Sequence, residues 1–184
     1  NGTYPTNMFD TTVKVPTLMS RPGHVPAGVV EESLLSHYDF IRTLLEYAWL
    51  ADKNPTDCER PGSSFVLIME ATSLGANRPV VMVDEYGPTR MIRTESSKYV
   101  HRYPDGPYEF YDLVGDPDET VSEVDNPAFA ESISTMRGQL EEWFDKYRES
   151  ERDGRDQTLK GRGQLDLAGT AEAFAQGVVF LRDT

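Results

Sequence analysis

The chain has a single cysteine, Cys58, among 184 residues. A lone thiol excludes an internal disulfide framework and any CxxC metal or redox site. Basic residues are also scarce: 18 Lys plus Arg stand against 31 Asp plus Glu, for a net charge of −13. Such a chain repels a phosphate backbone overall, which argues against nucleic acid as a partner; a local basic pocket for an anionic small molecule stays open. No run approaches the roughly 20 apolar residues that a membrane span requires. The three histidines, His24, His37 and His101, fall in unrelated contexts, and there is no GxSxG elbow, HExxH, P-loop or GxGxxG. The chain opens Asn1-Gly2-Thr3, with neither an initiator Met nor a signal-peptide core, as expected of a processed or truncated piece. The glycosylation sequon formed there is too short a pattern to carry weight.

What is present suits one ordinary domain, or one domain plus part of another, with 38% hydrophobic residues. Residues 13–20 (VKVPTLMS) read as a short strand closed by Arg21-Pro22-Gly23. A helix is expected from about 39 with Asp39 as N-cap, carrying Phe40, Ile41, Leu44, Leu45, Ala48 and Trp49 on one face. Residues 52–64 are loop by composition. Four β-prone runs follow, PVVMVDEY, PTRMIRT, SKYVHRY and PYEFYDL, separated by short turns. That spacing predicts an antiparallel meander. Asn126 and Pro127 read as a helix start, and Phe129, Ile133, Met136, Leu140, Trp143, Phe144 and Tyr147 advance by threes and fours as a core-facing stripe. Residues 150–164 are charged and Gly-containing, a loop or tail.

The fold class expected is therefore α/β in two parts. The strand and helix of residues 1–64 have no sheet of their own and must complete something else, whereas residues 65–184 form a small α+β unit, a meander closed by a long helix. Between Tyr103 and Met136 there are nine acids and no Lys or Arg, which reads as a solvated edge leading into a helix N-terminus. A calcium loop starting at Asp116 fails, because its sixth and twelfth positions are Val121 and Pro127 rather than Gly and Glu. His37 reads as a capping-region residue. His101 and Arg102 close a basic stretch with Arg90, Arg93 and Lys98; strand alternation sends the two to opposite faces. The plain alternative is that they face solvent on a half-exposed sheet.

The order of segments resembles the sulfatase family. NMFDTTVKVPTLMSRPG followed by LLSHYDFIRTLLEYAW, then RMIRTESSKYV and YEFYDLVGDPDET, match that family's late segments across residues 1–165, most specifically at Tyr111-Asp112-Leu113 with Asp116-Pro117 and Glu119. Arg42 stands where the family's helix usually has Pro, Ser97 stands where an aromatic precedes the lysine, and Ser122-Glu123-Val124 replaces the usual Asn-Leu. Pro16, Pro22 and Gly23, which shape the backbone, are kept.

The resemblance implies the last strand and helix of an alkaline-phosphatase-like catalytic domain plus a C-terminal subdomain, within a hydrolase of sulfate esters on a sulfated carbohydrate or aryl sulfate. It implies a formylglycine nucleophile and a calcium ion, and a periplasmic or secreted location. Cys58 reads C-E-R-P-G rather than C-x-P-x-R, so nucleophile and metal ligands are expected upstream and this chain alone is expected to be inactive. Its partner is then the N-terminal part of the same enzyme. Asn1 and Asn7, just beyond the family's active-site lysine, are expected to line the cleft, with His101 or Arg102 contributing from the subdomain. The other readings are a phosphodiesterase or phosphonate hydrolase of the same superfamily, and a non-catalytic binding module.

Overall fold

A computed structural model describes residues 7–48, 60–71, 78–84, 88–103, 105–148 and 153. Asn1, Cys58, Trp49 and most of the 52–64 and 150–164 loops lie outside that set. The centre of the fold is a four-stranded antiparallel sheet, β1 (Val80–Val83), β2 (Thr89–Arg93), β3 (Ser97–Arg102) and β4 (Glu109–Asp112), in the order β1-β2-β3-β4. The meander expected from turn spacing is present strand for strand. Its register sets Ile92 opposite Tyr99, Arg90 opposite His101, and Tyr99 opposite Phe110.

Both faces of β2 and β3 are covered. Residues 89–92 and 98–102 are all buried, so the basic stretch is not a solvent-facing sheet edge. One face packs on a long helix, here α4 (Ala130–Tyr147). Met136, Leu140 and Phe144 from this helix meet Val81, Ile92, Tyr99 and Phe110, with Phe129, Ile133 and Trp143 at the margin. Each fully buried side chain of this kind stabilises the fold by roughly 1.5–3 kcal/mol. Asn126 caps the start as expected, its Oδ1 accepting from Ala128 N at 3.0 Å, although Pro127–Phe129 forms a 3-10 turn before the α-helix begins.

The opposite face is covered by the N-terminal segment. Met8 is buried against Met91 and Val100, with Val13 and Met82 packed alongside. The segment makes one short helical turn, α1 (Asp10–Val13), and then runs on without a strand. The strand expected at 13–20 is thus absent from the described residues. A strand exists only where a neighbour completes its hydrogen bonds; none does so here, and Val15 and Leu18 are 57% and 93% exposed.

The next helix, α2 (His37–Tyr47), starts two residues before the sequence suggested. Ser36 is the N-cap, and Asp39 is the reciprocal partner of a capping box, its carboxylate accepting from Ser36 N at 2.7 Å. Asp39 also accepts from Ser63 N at 2.8 Å and pairs with Arg78 at 2.7 Å, which explains how a carboxylate can be fully buried. The expected apolar face is only partly covered. Phe40 packs edge-on against Phe65, just before α3 (Val66–Met69), but Ile41 and Leu44 remain exposed, and the residues buried are Asp39 and Thr43. Among the described residues no helix is long and apolar enough to cross a membrane.

Candidate functional site

Alternation along β3 divides its side chains between two environments. Lys98 and Val100 face the N-terminal segment, with Arg102 on the same side of the strand, while Tyr99 and His101 are on the side of α4. The first environment is ionic. Lys98 is fully buried, and its ammonium donates to Met8 O at 2.8 Å and Asp10 Oδ1 at 2.6 Å and pairs with Glu119. Three donors meet three acceptors, which offsets the several kcal/mol that desolvating a charge costs.

Arg93 grips the same aspartate with its planar fork, Nε to Oδ1 at 3.0 Å and Nη2 to Oδ2 at 2.8 Å. The backbone N–H of Asp10 in turn donates to Glu119 Oε2 at 2.6 Å. Burial pushes the Asp10 carboxyl upward, but the hydrogen bonds and charges of Arg93 and Lys98 outweigh it and hold the group below the ordinary carboxylate range. Glu119, expected on a solvated acidic edge, is 6% exposed and adopts φ +54, a left-handed conformation uncommon outside glycine. Its loop is held by Glu119 N donating to Asp116 O, and by Asp116 accepting from Val121 N and Thr120 Oγ1.

The second environment is aromatic. His101 stacks on Tyr108 with centroids 4.5 Å apart, lies 4.4 Å from the Tyr103 ring, and places Nδ1 2.8 Å from Tyr99 Oη. Burial, with Arg137 and Arg90 nearby, lowers the imidazole to about 4, so it is neutral at pH 7. Burial also pushes Tyr99 up to about 12. Tyr103 Oη donates to Glu141 on α4 at 2.6 Å.

The expected site residues fall in four places. Asn1 lies outside the described set. Asn7 is half-buried, its Oδ1 accepting from Thr12 Oγ1 at 2.6 Å across the α1 turn. His101 sits in the aromatic box at 2% exposure. Arg102, on the opposite face, donates from Nη1 to Pro107 O at 3.0 Å and pairs with Glu109. Among the described residues, Asn7, His101 and Arg102 share no hydrogen-bond or ion-pair partner. What the structure does bring together is Asp10, Arg93, Lys98 and Glu119, which the sequence reading did not group. The only available signal was Lys98 alternating with Val100 on an inward face, since Asp10 and Glu119 are 109 positions apart.

A cleft of about 1720 Å³ lies beside this ionic seam, bordered by Asp10, Arg93, Met82, Met91, His24 and His37 among others. Among the described residues no group of three or more His, Cys, Asp or Glu could hold a metal ion. Asp10 is already paired with Lys98 and Arg93, and Glu119 with Lys98, so this seam does not fit a calcium site.

Comparisons with known proteins agree with this architecture. One solved structure, in complex with its substrate D-glucosamine-2-N,6-O-disulfate, is 24% identical with a TM-score of 0.52, over 65% of this chain and 25% of its own. A second, from work on glycosaminoglycan metabolism by Bacteroides thetaiotaomicron, is 19% identical with a TM-score of 0.52, over 68% of this chain and 30% of its own. A phosphonate monoester hydrolase of Agrobacterium radiobacter is 22% identical with a TM-score of 0.44, over 59% of this chain and 26% of its own. This chain thus spans about a quarter of the length of these structures. No curated protein matches it in sequence. The family model described as N-sulphoglucosamine sulphohydrolase, C-terminal, matches residues 5–146, and with that span of strands, seam and closing helix the chain belongs to this sulfatase C-terminal family.

Proposed function

We propose that this chain is the C-terminal part of a sulfatase that removes sulfate from a sulfated carbohydrate, a glucosamine bearing N- or O-linked sulfate being the favoured class. The observation that carries this reading is the match of residues 5–146 to the C-terminal region of a sulphohydrolase family. The fold likeness to a structure that holds glucosamine disulfate supports the substrate class.

In this reading the nucleophile and the calcium ion belong to the upstream portion of the enzyme. The residues described here supply a scaffold and one wall of the cleft. Asn7 offers its amide NH₂ to a sugar hydroxyl or sulfate oxygen. Asn1 and Arg102 act as further recognition residues of the whole enzyme, and His101, buried among Tyr99, Tyr103 and Tyr108, acts behind them as a neutral, stacked support rather than as an acid or base.

The test uses the full-length protein with N-sulfated and 6-O-sulfated glucosamine, an aryl sulfate and a phosphonate monoester. Release of sulfate from the sugars at a higher kcat/KM than phosphonate cleavage is expected, with no turnover by residues 1–184 alone. Phosphonate cleavage with inert sulfate esters would overturn the assignment. Replacing Asn7, His101 or Arg102 by Ala should lower kcat/KM for the sugar more than for the aryl ester. An Ala variant that leaves both substrates untouched shows that its residue takes no part in sugar recognition.

A further inference from the structure

The ionic seam joins segments that are far apart in sequence at one buried lysine. Every polar partner of Lys98 lies off its own strand: Met8 and Asp10 on the N-terminal segment, and Glu119 on the loop after β4. Asp10 is held from three directions, by Lys98, by the Arg93 fork, and through its own backbone N–H on Glu119. The flanking residues add apolar grip. Met8 is buried between Met91 and Val100, and Phe9 meets the Tyr111 ring edge-on at 5.9 Å. The three residues Met8–Asp10 are therefore registered against the sheet by charge, hydrogen bond and packing at once. Asn7 is the next residue along the chain, and its side chain is tied to the same short turn through Thr12.

We infer that Lys98 is a positioning residue for substrate: with Asp10 and Glu119 it locks the N-terminal segment to the C-terminal sheet and so sets where Asn7 meets the sulfated sugar. This inference rests on the function proposed above. A flexible segment would present Asn7 over a range of positions, and the affinity for a sugar fixed by short polar contacts falls steeply with such freedom. An ammonium suits the position because it is compact and satisfies three acceptors, whereas a methionine of similar length fills the space but leaves the buried Glu119 without its counter-ion, beside a half-buried Asp10 that keeps only Arg93. The network lies on the face of the sheet away from α4, so the core of α4 can be weakened without touching it.

The experiment compares Lys98→Met, Asp10→Asn and Glu119→Gln with Leu140→Ala in the full-length enzyme, all rates expressed per folded molecule as judged by circular dichroism. Leu140→Ala serves as the control for loss of stability alone. The three seam variants should raise KM for the sulfated glucosamine and lower its kcat/KM about tenfold or more, while the small aryl sulfate changes within about twofold. Leu140→Ala should lower the melting temperature and leave both KM values in place. If Lys98→Met does not yield folded enzyme, Asp10→Asn and Glu119→Gln, which keep shape and remove one charge, decide the matter. Unchanged KM for the sugar in these two overturns the inference, as does an equal rise in Leu140→Ala. A wild-type enzyme inert toward sulfated sugars would instead overturn the proposed function, so the two failures are distinct.

Discussion

The guanidinium of Arg90 lies 3.8 Å from the centroid of the Phe144 ring, which ties the middle of β2 to the last turns of α4. Arg90 is 1% exposed, has the Tyr103 ring 5.0 Å away on another side, and pairs with Asp153 beyond the end of the helix. Its Nε has no hydrogen-bond partner among the described residues. A cation held largely by ring faces and one carboxylate depends strongly on that carboxylate.

Removing Asp153 while Arg90 remains leaves a buried charge without its counter-ion. Asp153→Ala is expected to cost about 3–5 kcal/mol, whereas Arg90→Met should be close to neutral, since a flexible apolar chain fits between the two rings. In the Arg90→Met background the Asp153→Ala cost should nearly vanish. A double-mutant cycle on thermal unfolding reads this directly, and equal costs in both backgrounds would show that Asp153 acts elsewhere.

The stripe on α4 is graded. Leu140 is 1% exposed at the centre of the core, and Trp143 lies at its margin against Tyr38. Leu140→Ala is expected to destabilise by about 2–5 kcal/mol, and Trp143→Ala by less despite its larger ring, because a marginal site collapses or fills with water more readily than a central one. Denaturant midpoints of the two variants give the order.

Gly62 holds φ +103, and a Cβ there would come within 2.2 Å of Tyr38 O, at the first turn of α2. Both the backbone conformation and the contact with an inflexible carbonyl exclude a side chain. Gly62→Ala should cost about 1–3 kcal/mol and loosen the Ser36–Asp39 cap, seen as faster amide exchange at Ser63.

His101 predicts an acid dependence. Its folded value is lowered to about 4 from an ordinary 6.5, chiefly by burial. Between those values the unfolded chain binds a proton that the folded chain does not, so stability rises with pH across the window and falls as the solution is acidified from 6.5 to 4. The loss is of order 3 kcal/mol for a shift of this size. His101→Phe should flatten the melting temperature over that interval, and the imidazole should titrate near 4 by NMR. A titration near 6.5 would show that the ring is more solvated than its stacking on Tyr108 suggests.

Local order determined what could be read from residues in a row. The four strands, their turns and the α4 stripe each obey a period of two or of three to four, and short connections force neighbours to pair. Asn126 could be read as a cap because its partner, Ala128 N, is two residues away. Asp39 was placed in the right role by type but at the wrong position, since Ser36 and Asp39 both suit a cap and only the hydrogen bonds choose between them.

Tertiary structure alone decided the rest. Whether residues 13–20 form a strand depends on a neighbour to pair with, and none stands beside them among the described residues. That the basic stretch is an interior seam rather than a sheet edge depends on Met8 and Asp10 folding over a face some 90 positions away. Charge is legible in a sequence; its partner is not, because the Coulomb term and the desolvation cost that govern Lys98, Asp10 and Glu119 are set by distance and burial in space and leave no periodic trace along the chain.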